Sequence, residues 1–319
     1  MAPLTALSEH CTNMPQSAAF KGRHAFAALI LSNIFLAMGP WMVRLSDVGP
    51  VAAAFWRLAL AIPLLLLFAR YAGRESFRPG LAVAGLIVLG GIFFAADLAA
   101  WHVGIGLTKL ANATLFGNAS SLLFPIYGFI AARMLPRKIQ AVALAIAAVG
   151  AALLLGSSYE LSPRNLRGDL FAILAGIFYT FYLIAIDRAR KTLKPMPVLA
   201  LSTVAGAGPL LLFALVLGEQ VIPINWTPLV LLSLGSQVIG QGLLVYSMGH
   251  LSPLIVGLGL LTQPIVTAII GWLAYDERLG LADGIGALLI GAALVLIRLP
   301  ERLATEEAQP HVGEDRRAP

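Results

Sequence analysis

Long apolar stretches alternate with short polar segments along almost the whole chain. Each stretch has about the 20 residues that an α-helix needs to cross the roughly 30 Å hydrocarbon core of a bilayer. We predict ten membrane-spanning helices, over residues 24–45, 50–70, 81–103, 108–132, 139–157, 168–188, 197–218, 227–249, 252–275 and 281–298. The polar ends, residues 1–20 and 301–319, are predicted to be disordered cytoplasmic tails.

The composition supports a multi-pass membrane protein. Of the 319 residues, 59% are hydrophobic and 12% are charged, whereas a soluble globular chain carries about 25% charged residues. The single cysteine, Cys11, excludes a disulfide framework and a cysteine-based metal site. We predict no metal and no cofactor.

The basic residues indicate orientation rather than nucleic-acid binding. With the N-terminus inside, sixteen of the 22 lysines and arginines fall in cytoplasmic segments and five in outer loops. This asymmetry predicts cytoplasmic N- and C-termini, in a protein of the cell inner membrane. The net charge of +6 is explained by these short loops, so no nucleic-acid partner is predicted.

The two halves of the chain resemble each other, at residues 24–157 and 168–298. Trp101 in the third helix corresponds to Tyr246 in the eighth, and Pro125 in the fourth helix to Pro264 in the ninth. Because each half has five helices, the second half must begin on the opposite side of the membrane. The sequence therefore predicts two inverted five-helix repeats, an arrangement typical of secondary transporters whose substrate sites lie between the repeats.

This plan resembles the drug/metabolite transporter superfamily and, within it, the EamA-domain exporters. The resemblance rests on ADLAAWHVGIGLTKLANATLFGNASSLLFP (96–125), on LSPLIVGLGLLTQPIVTAIIGWLAYDERL (251–279) and on IGALLIGAALVL (285–296). The acidic-Arg pair after Pro264, at 277–278, is typical of the family. The first half departs from it, with Pro-Arg-Lys at 136–138. The resemblance implies a ten-helix transporter similar in plan to aromatic amino-acid and metabolite exporters.

Two charged residues lie deep within the predicted helices. Arg57 in the second helix and Asp97 in the third are expected at similar depth in the outer half of the bilayer. A lone charge there costs at least about 2.5–3.5 kcal/mol. Two interpretations stay open: a structural pair that joins the two helices, or a pair that faces a cavity and contacts substrate or a coupling proton.

Aromatic and amide side chains complete the predicted substrate site. Trp101 lies one turn after Asp97 on the same helix face, and symmetry places Tyr246 at the same axis. The further candidates for substrate binding are Trp41, Tyr179, Tyr182, Asn118, Gln237 and Gln241. An aromatic cavity suits amphipathic or cationic solutes.

Other residues are predicted to have structural roles. His102 is expected near the outer membrane interface, about 140° around the helix from Asp97. Asn33 and Gln263 are further neutral polar residues within helices. Prolines are predicted to kink five helices, with Pro125 and Pro264 as gating positions. Small residues, among them Ala143, Ala147, Ala151, Gly284, Gly286 and Gly291, predict that the fifth and tenth helices pack together away from the transport path.

We therefore predict an exporter of small metabolites, such as amino acids or amphipathic, drug-like solutes, that works by alternating access. No Walker A motif is present, so ATP is not expected to drive it directly. The alternative is a membrane-embedded enzyme that acts on a lipid-linked substrate, but the deep polar residues are mostly amides and no cluster of His, Asp or Glu has the spacing of ligands. The expected partners are a small-molecule substrate and the lipid bilayer; a homodimer stays open, although a monomer would suffice for transport.

Overall fold

The computed structural model describes residues 14–71, 79–108, 113, 116–156, 163, 165–275 and 280–307. In this part the chain forms ten helices, each of which overlaps one of the ten apolar stretches. The first five are α1 (Met14–Ala37, continued by Gly39–Arg44), α2 (Pro50–Ala59 and Ile62–Tyr71), α3 (Leu81–Leu107), α4 (Ser120–Ala132) and α5 (Lys138–Gly156). The others are α6 (Leu166–Arg190), α7 (Pro195–Val216), α8 (Thr227–Leu232, Ser233–Gly240 and Gln241–Met248), α9 (Pro253–Leu260 and Thr262–Tyr275) and α10 (Leu281–Glu307).

The length and composition of the helices are those of a multi-pass membrane protein. Seven spans of the described chain are long and apolar enough to cross a bilayer, and three shorter apolar helices, in α4, α5 and α10, accompany them. Two ends differ from expectation, because α1 begins at Met14 and α10 continues to Glu307, inside the predicted tails. The extension of α10, ERLATEE at 301–307, is rich in residues that favour helix, and the extension of α1, MPQSAAF at 14–20, contains two alanines. Residues 109–112 and 114–115, in the predicted start of the fourth helix, lie outside the described chain.

Three of the predicted kinks coincide with interruptions of a helix. Pro40, Pro63 and Pro264 each stand within the first three residues of the helical segment that follows a break. A proline is tolerated there because the first N–H groups of a helix have no intrahelical partner. Pro125 and Pro209 instead lie inside continuous helices.

The middle of α8 has an irregularity that the sequence analysis missed. Residues Ser233–Gly240 form a π-helix, in which hydrogen bonds join residues five apart, and such segments often occur at functional sites. A Cβ atom on Gly240 would lie 3.1 Å from the Leu36 side chain of α1. This glycine therefore permits α1 and α8 to pack closely.

The α5–α10 interface is confirmed as a close helix contact. Ala143 and Ala147 are fully or almost fully buried. A Cβ atom on Gly150 would lie 2.8 Å from the carbonyl oxygen of Gly286, and one on Gly286 would lie 2.6 Å from that of Gly150. Gly284 does not contribute to the interface, since a Cβ atom there would meet nothing within 4 Å.

The helix bundle is packed at one end and hollow at the other. Around the beginning of α3 and the end of α6, Leu65, Ile87, Ile186 and Leu244 are at most 1% exposed. Around the end of α3 and the beginning of α6 the helices separate and enclose a cavity. The two ends of the bundle therefore differ in access.

Candidate functional site

The cavity is partly open to the outside of the protein and has about 1000 Å³ of empty volume, including the solvent space at its mouth. Its walls come from six helices, α1, α2, α3, α6, α8 and α9, together with the residues that precede and begin α4. Seven of the predicted residues line it: Arg57, Asp97, Trp101, Asn118, Tyr179, Gln241 and Pro264. None of its lining residues belongs to α5 or α10, as expected for helices away from the transport path.

Arg57 and Asp97 face the same cavity without forming a direct ion pair. Both line its wall, and among the described residues no N–O contact within 4.0 Å joins them, although they interact electrostatically. Asp97 is half-buried, and no hydrogen bond to its carboxylate is present in the described chain. Both charged groups therefore face the cavity, and within the described chain the structure does not join the two helices by a direct pair between them.

Gln237 fixes the position of the Arg57 side chain through a hydrogen bond. The Nε of Arg57 donates a hydrogen bond to Oε1 of Gln237 over 3.2 Å, and Nε2 of Gln237 donates to Oγ1 of Thr203 over 3.0 Å. Because arginine can only donate, this contact determines which end of the Gln237 amide faces it. The guanidinium also lies over the Phe94 ring, 5.5 Å from its centroid. Gln237 is fully buried and does not line the cavity, so it positions Arg57.

Gln241 connects two tyrosines of α6. It accepts a hydrogen bond from the Tyr182 hydroxyl and donates one to the Tyr179 hydroxyl, each over 3.4 Å. Tyr182 is fully buried and stacks on Phe94 with the ring centroids 4.6 Å apart. Tyr179 and Gln241 line the cavity, and Tyr182 supports them from outside it.

Trp101 forms an aromatic wall whose position depends on a glycine. A Cβ atom on Gly117 would lie 3.0 Å from Cδ1 of the Trp101 ring, so the indole packs directly on the backbone that leads to α4. The neighbouring His102 ring lies edge-on to Trp101 at 5.2 Å.

The prediction for His102 was wrong. Its side chain is 4% exposed and lines the cavity instead of lying at the interface. Its Nδ1 lies 2.5 Å from the Leu98 carbonyl oxygen, and its Nε2 has no hydrogen-bond partner in the described chain. The longer course of α3, to Leu107, places His102 one turn deeper than the predicted helix end implied.

Three predicted residues lie elsewhere. Tyr246 packs against His250, with the ring centroids 4.7 Å apart, near the end of α8 that is remote from the cavity. Trp41 and Pro125 also do not line the cavity; Pro125 packs on Gly257 of α9. The repeat correspondence of Trp101 and Tyr246 therefore does not bring both rings to one cavity.

Asn33 and Gln263 were noted in the sequence but not selected. Asn33 is fully buried, and Nε2 of Gln263 donates a hydrogen bond to its Oδ1 over 2.8 Å. Gln263 lines the cavity between Leu260 and Pro264. The two residues are 230 positions apart, and no local pattern in the sequence pairs them. In the described chain, no group of three His, Cys, Asp or Glu residues could hold a metal ion.

The opposite end of the bundle is closed by polar contacts as well as by apolar packing. Nε of Arg190 donates to the carbonyl oxygen of Val245 over 3.0 Å and joins α6 to α8. The Tyr127 hydroxyl donates to Asp187 over 3.5 Å and accepts from Arg188 over 3.4 Å, which joins α4 to α6.

Comparisons with known proteins agree with this architecture. The model of the EamA-like transporter family matches residues 166–299. Two proteins of Archaeoglobus fulgidus, each described as an uncharacterized transporter, are 24% identical to the chain over 278 and 279 residues. These alignments cover 83% and 86% of this chain and 91% and 96% of the relatives. A solved crystal structure with 19% identity superposes with a TM-score of 0.73 and covers 91% of this chain and 99% of its own, which shows a shared fold.

Proposed function

We propose that the chain is a membrane transporter of the EamA-like family, whose model matches residues 166–299, and that it exports small dipolar organic solutes across the inner membrane. The family is one of transporters, so the chain is not an enzyme and the enzymatic alternative is set aside. Solutes with a charged group and an apolar part, amino acids among them, are the proposed substrates.

One observation carries the proposal: a cavity in which a cation and an anion are both available to a ligand. Arg57 and Asp97 line the same cavity without a direct contact between them. A ligand that carries both charges would pair with Arg57 and with Asp97. Its binding would offset the free-energy cost of keeping two charges at membrane depth. Trp101 and Tyr179 supply apolar surface for a hydrophobic or aromatic part of the ligand.

The helix contacts support two inverted repeats, 24–157 and 168–298. Helix α3 packs on α6 as α8 packs on α1, and α4 packs on α6 as α9 packs on α1. Three further pairs, α2 with α7, α4 with α9 and α5 with α10, join equivalent helices. This is the pattern expected for a two-fold axis in the membrane plane between the halves.

The difference between the two ends supports alternating access. The cavity opens at the end of α3, and the opposite end is filled by buried aliphatic side chains. With the N-terminus inside, this is an outward-facing form. Rocking of the two halves would open the packed end and close the other.

Energy coupling is proposed at Asp97. Its carboxylate faces the cavity and could exchange a proton when access alternates. Without such exchange the protein would act as a facilitator, and the direction of transport would follow the gradient of the solute. A monomer contains the whole cavity, and a homodimer is not required.

Flux into proteoliposomes tests this function. Purified protein is reconstituted, and uptake of radiolabelled phenylalanine, lysine and phenethylamine is measured with and without a pH gradient. We expect saturable flux of at least one solute, and liposomes containing the Arg57→Ala, Asp97→Ala double variant serve as the control. Flux no greater than in these control liposomes, for every solute of a wider amino-acid and amine panel, would contradict the proposal.

A further inference from the structure

Gln263 presents an oxygen, not a nitrogen, to the cavity. The reason lies in Asn33 of α1, which is fully buried beside the break in α9. Nδ2 of Asn33 lies 2.8 Å from the carbonyl oxygen of Leu29 and 3.0 Å from that of Gly259. Two carbonyl oxygens can only accept, so the amide nitrogen of Asn33 must face them.

This orientation is passed on to Gln263. With its nitrogen facing the carbonyl groups, Asn33 directs Oδ1 towards Gln263, 2.8 Å from the Gln263 Nε2. A reversed Gln263 amide would place two oxygens against each other, which costs a hydrogen bond and adds repulsion. The two backbone carbonyls therefore set the orientation of both amides, Asn33 and Gln263.

The remaining oxygen of Gln263 is available to a ligand. Gln263 is half-buried and lines the cavity, and its Oε1 has no hydrogen bond within the described chain, nor is it among the buried unsatisfied atoms there. An acceptor therefore projects from α9 into the cavity that also contains the Asp97 carboxylate. Arg57 provides donors from another wall.

We infer that Gln263 is a specificity-determining residue that accepts a hydrogen bond from an amine or ammonium group of the transported solute, and that Asn33 is its positioning residue. The inference rests on the proposed transport function and deepens it, since it assigns a residue to one end of the ligand. The carboxylate or other acceptor end of the ligand is assigned to Arg57.

Three probes of similar size separate the two ends of the ligand: L-phenylalanine, phenethylamine, which lacks the carboxylate, and 3-phenylpropanoate, which lacks the amine. Their dissociation constants are measured by calorimetry on detergent-purified protein. In Gln263→Leu we expect affinity for the two amines to fall about tenfold, because the lost bond is to a charged donor. Affinity for 3-phenylpropanoate should not change.

The Asn33→Ala variant distinguishes a positioning role of Asn33 from a purely structural one. The freed amide of Gln263 can turn its NH₂ group into the cavity, so affinity for the amines should fall several-fold while affinity for 3-phenylpropanoate rises. Gln140→Leu, at the start of α5 and outside the cavity, is the matched control and should leave all three constants unchanged.

Equal losses for all three probes in Gln263→Leu, or an unchanged amine-to-carboxylate ratio in Asn33→Ala, would overturn the inference. So would a wild-type protein that binds none of the probes. Flux of other solutes in proteoliposomes would in that case retain the transport function and reject only the role of Gln263. Thermal unfolding of each variant distinguishes these outcomes from a failure to fold.

Discussion

Buried amide side chains set the direction of hydrogen bonds around the cavity. Gln237 holds Arg57 with its donors available, and Asn33 holds Gln263 with its acceptor available. Neither Gln237 nor Asn33 lines the cavity, yet each determines what a neighbouring side chain offers to a ligand. The charge of Asp97 and the ring of Trp101 complete the wall.

Asp97→Asn is expected to remove coupling while leaving the fold intact. The carboxylate makes no hydrogen bond within the described chain, so the free energy of unfolding should change by less than about 1 kcal/mol. The amide carries no exchangeable charge, so any dependence of flux on the pH gradient should disappear. Flux assays and thermal unfolding check both statements, and gradient-dependent flux in the variant would exclude Asp97 as the proton carrier.

Gly117→Ala should alter the size selectivity of the cavity. The added methyl would lie 3.0 Å from the Trp101 ring, so the indole must move by a few tenths of an ångström into the cavity. We expect affinity for phenylalanine to fall several-fold and affinity for alanine to change little. Gly106→Ala is the control, because its Cβ atom would meet nothing within 4 Å, and a similar loss there would contradict the interpretation.

At the scale of helices, glycines determine which pairs pack closely. The α5–α10 interface depends on Gly150 and Gly286, whose backbones touch.

The loop after α7 is fixed to the other half of the chain, because the Glu219 carboxylate accepts hydrogen bonds from the N–H groups of Val51 and Ala52 at the start of α2.

Gly286→Ala should destabilise the protein and spare transport. A Cβ atom there would lie 2.6 Å from a backbone oxygen, which cannot move aside without shifting α5. We expect a loss of about 1–3 kcal/mol in the free energy of unfolding, measured by thermal unfolding in detergent, with unchanged flux per folded molecule. Gly284→Ala has open space and is the matched control; equal stabilities of the two variants would refute the proposed packing.

The loop before α2 contributes a pH-dependent contact. Backbone N–H groups of Ile224 and Asn225 donate to the Asp47 carboxylate over 2.7 and 3.1 Å, which holds the pKa of Asp47 below its ordinary value. A lowered pKa means that this stabilisation is present above about pH 4 and is lost as the pH falls through the pKa of the folded protein. Asp47→Asn should therefore lower Tm slightly at pH 7, with a difference that shrinks towards pH 3; a constant difference would contradict this account.

At the scale of the whole molecule, the cavity opens at one end of the bundle, and buried aliphatic side chains fill the other end. In the proposed transport cycle, rotation of the two repeats would exchange the open end and the packed end. The outward-facing assignment depends on the orientation proposed from the lysines and arginines.

Cysteine accessibility tests this assignment. In a Cys11→Ser background, Thr267→Cys in the cavity wall should react with a membrane-impermeant maleimide added outside intact cells. Ile186→Cys, at a fully buried position of the packed end, should react slowly with the same maleimide added to the cytoplasmic face of inside-out vesicles, and should react faster when substrate drives the cycle. Labelling of the Thr267 variant from the cytoplasmic side alone would reverse the proposed orientation.

Much of the fold could be predicted from the sequence because the bilayer imposes a simple rule. Each crossing needs about 20 apolar residues, so the ten helices could be located from hydrophobicity, and the breaks at Pro40, Pro63 and Pro264 from proline itself. The π-helix of α8 could not be found in this way. It contains no proline, and its geometry depends on packing against α1.

For the cavity, the sequence by itself determined which polar residues stand at membrane depth, because a charge such as Asp97 is costly there and stands out against an apolar background. Only the tertiary structure decided what these residues do. It separated Tyr246 from Trp101, turned His102 inward, and joined Asn33 to Gln263 across 230 positions. Helix rotation and tilt, which set these contacts, arise from the packing of small residues between helices. The pattern within one helix can indicate a closely packed face, as in α5, but it does not identify which distant side chains will meet.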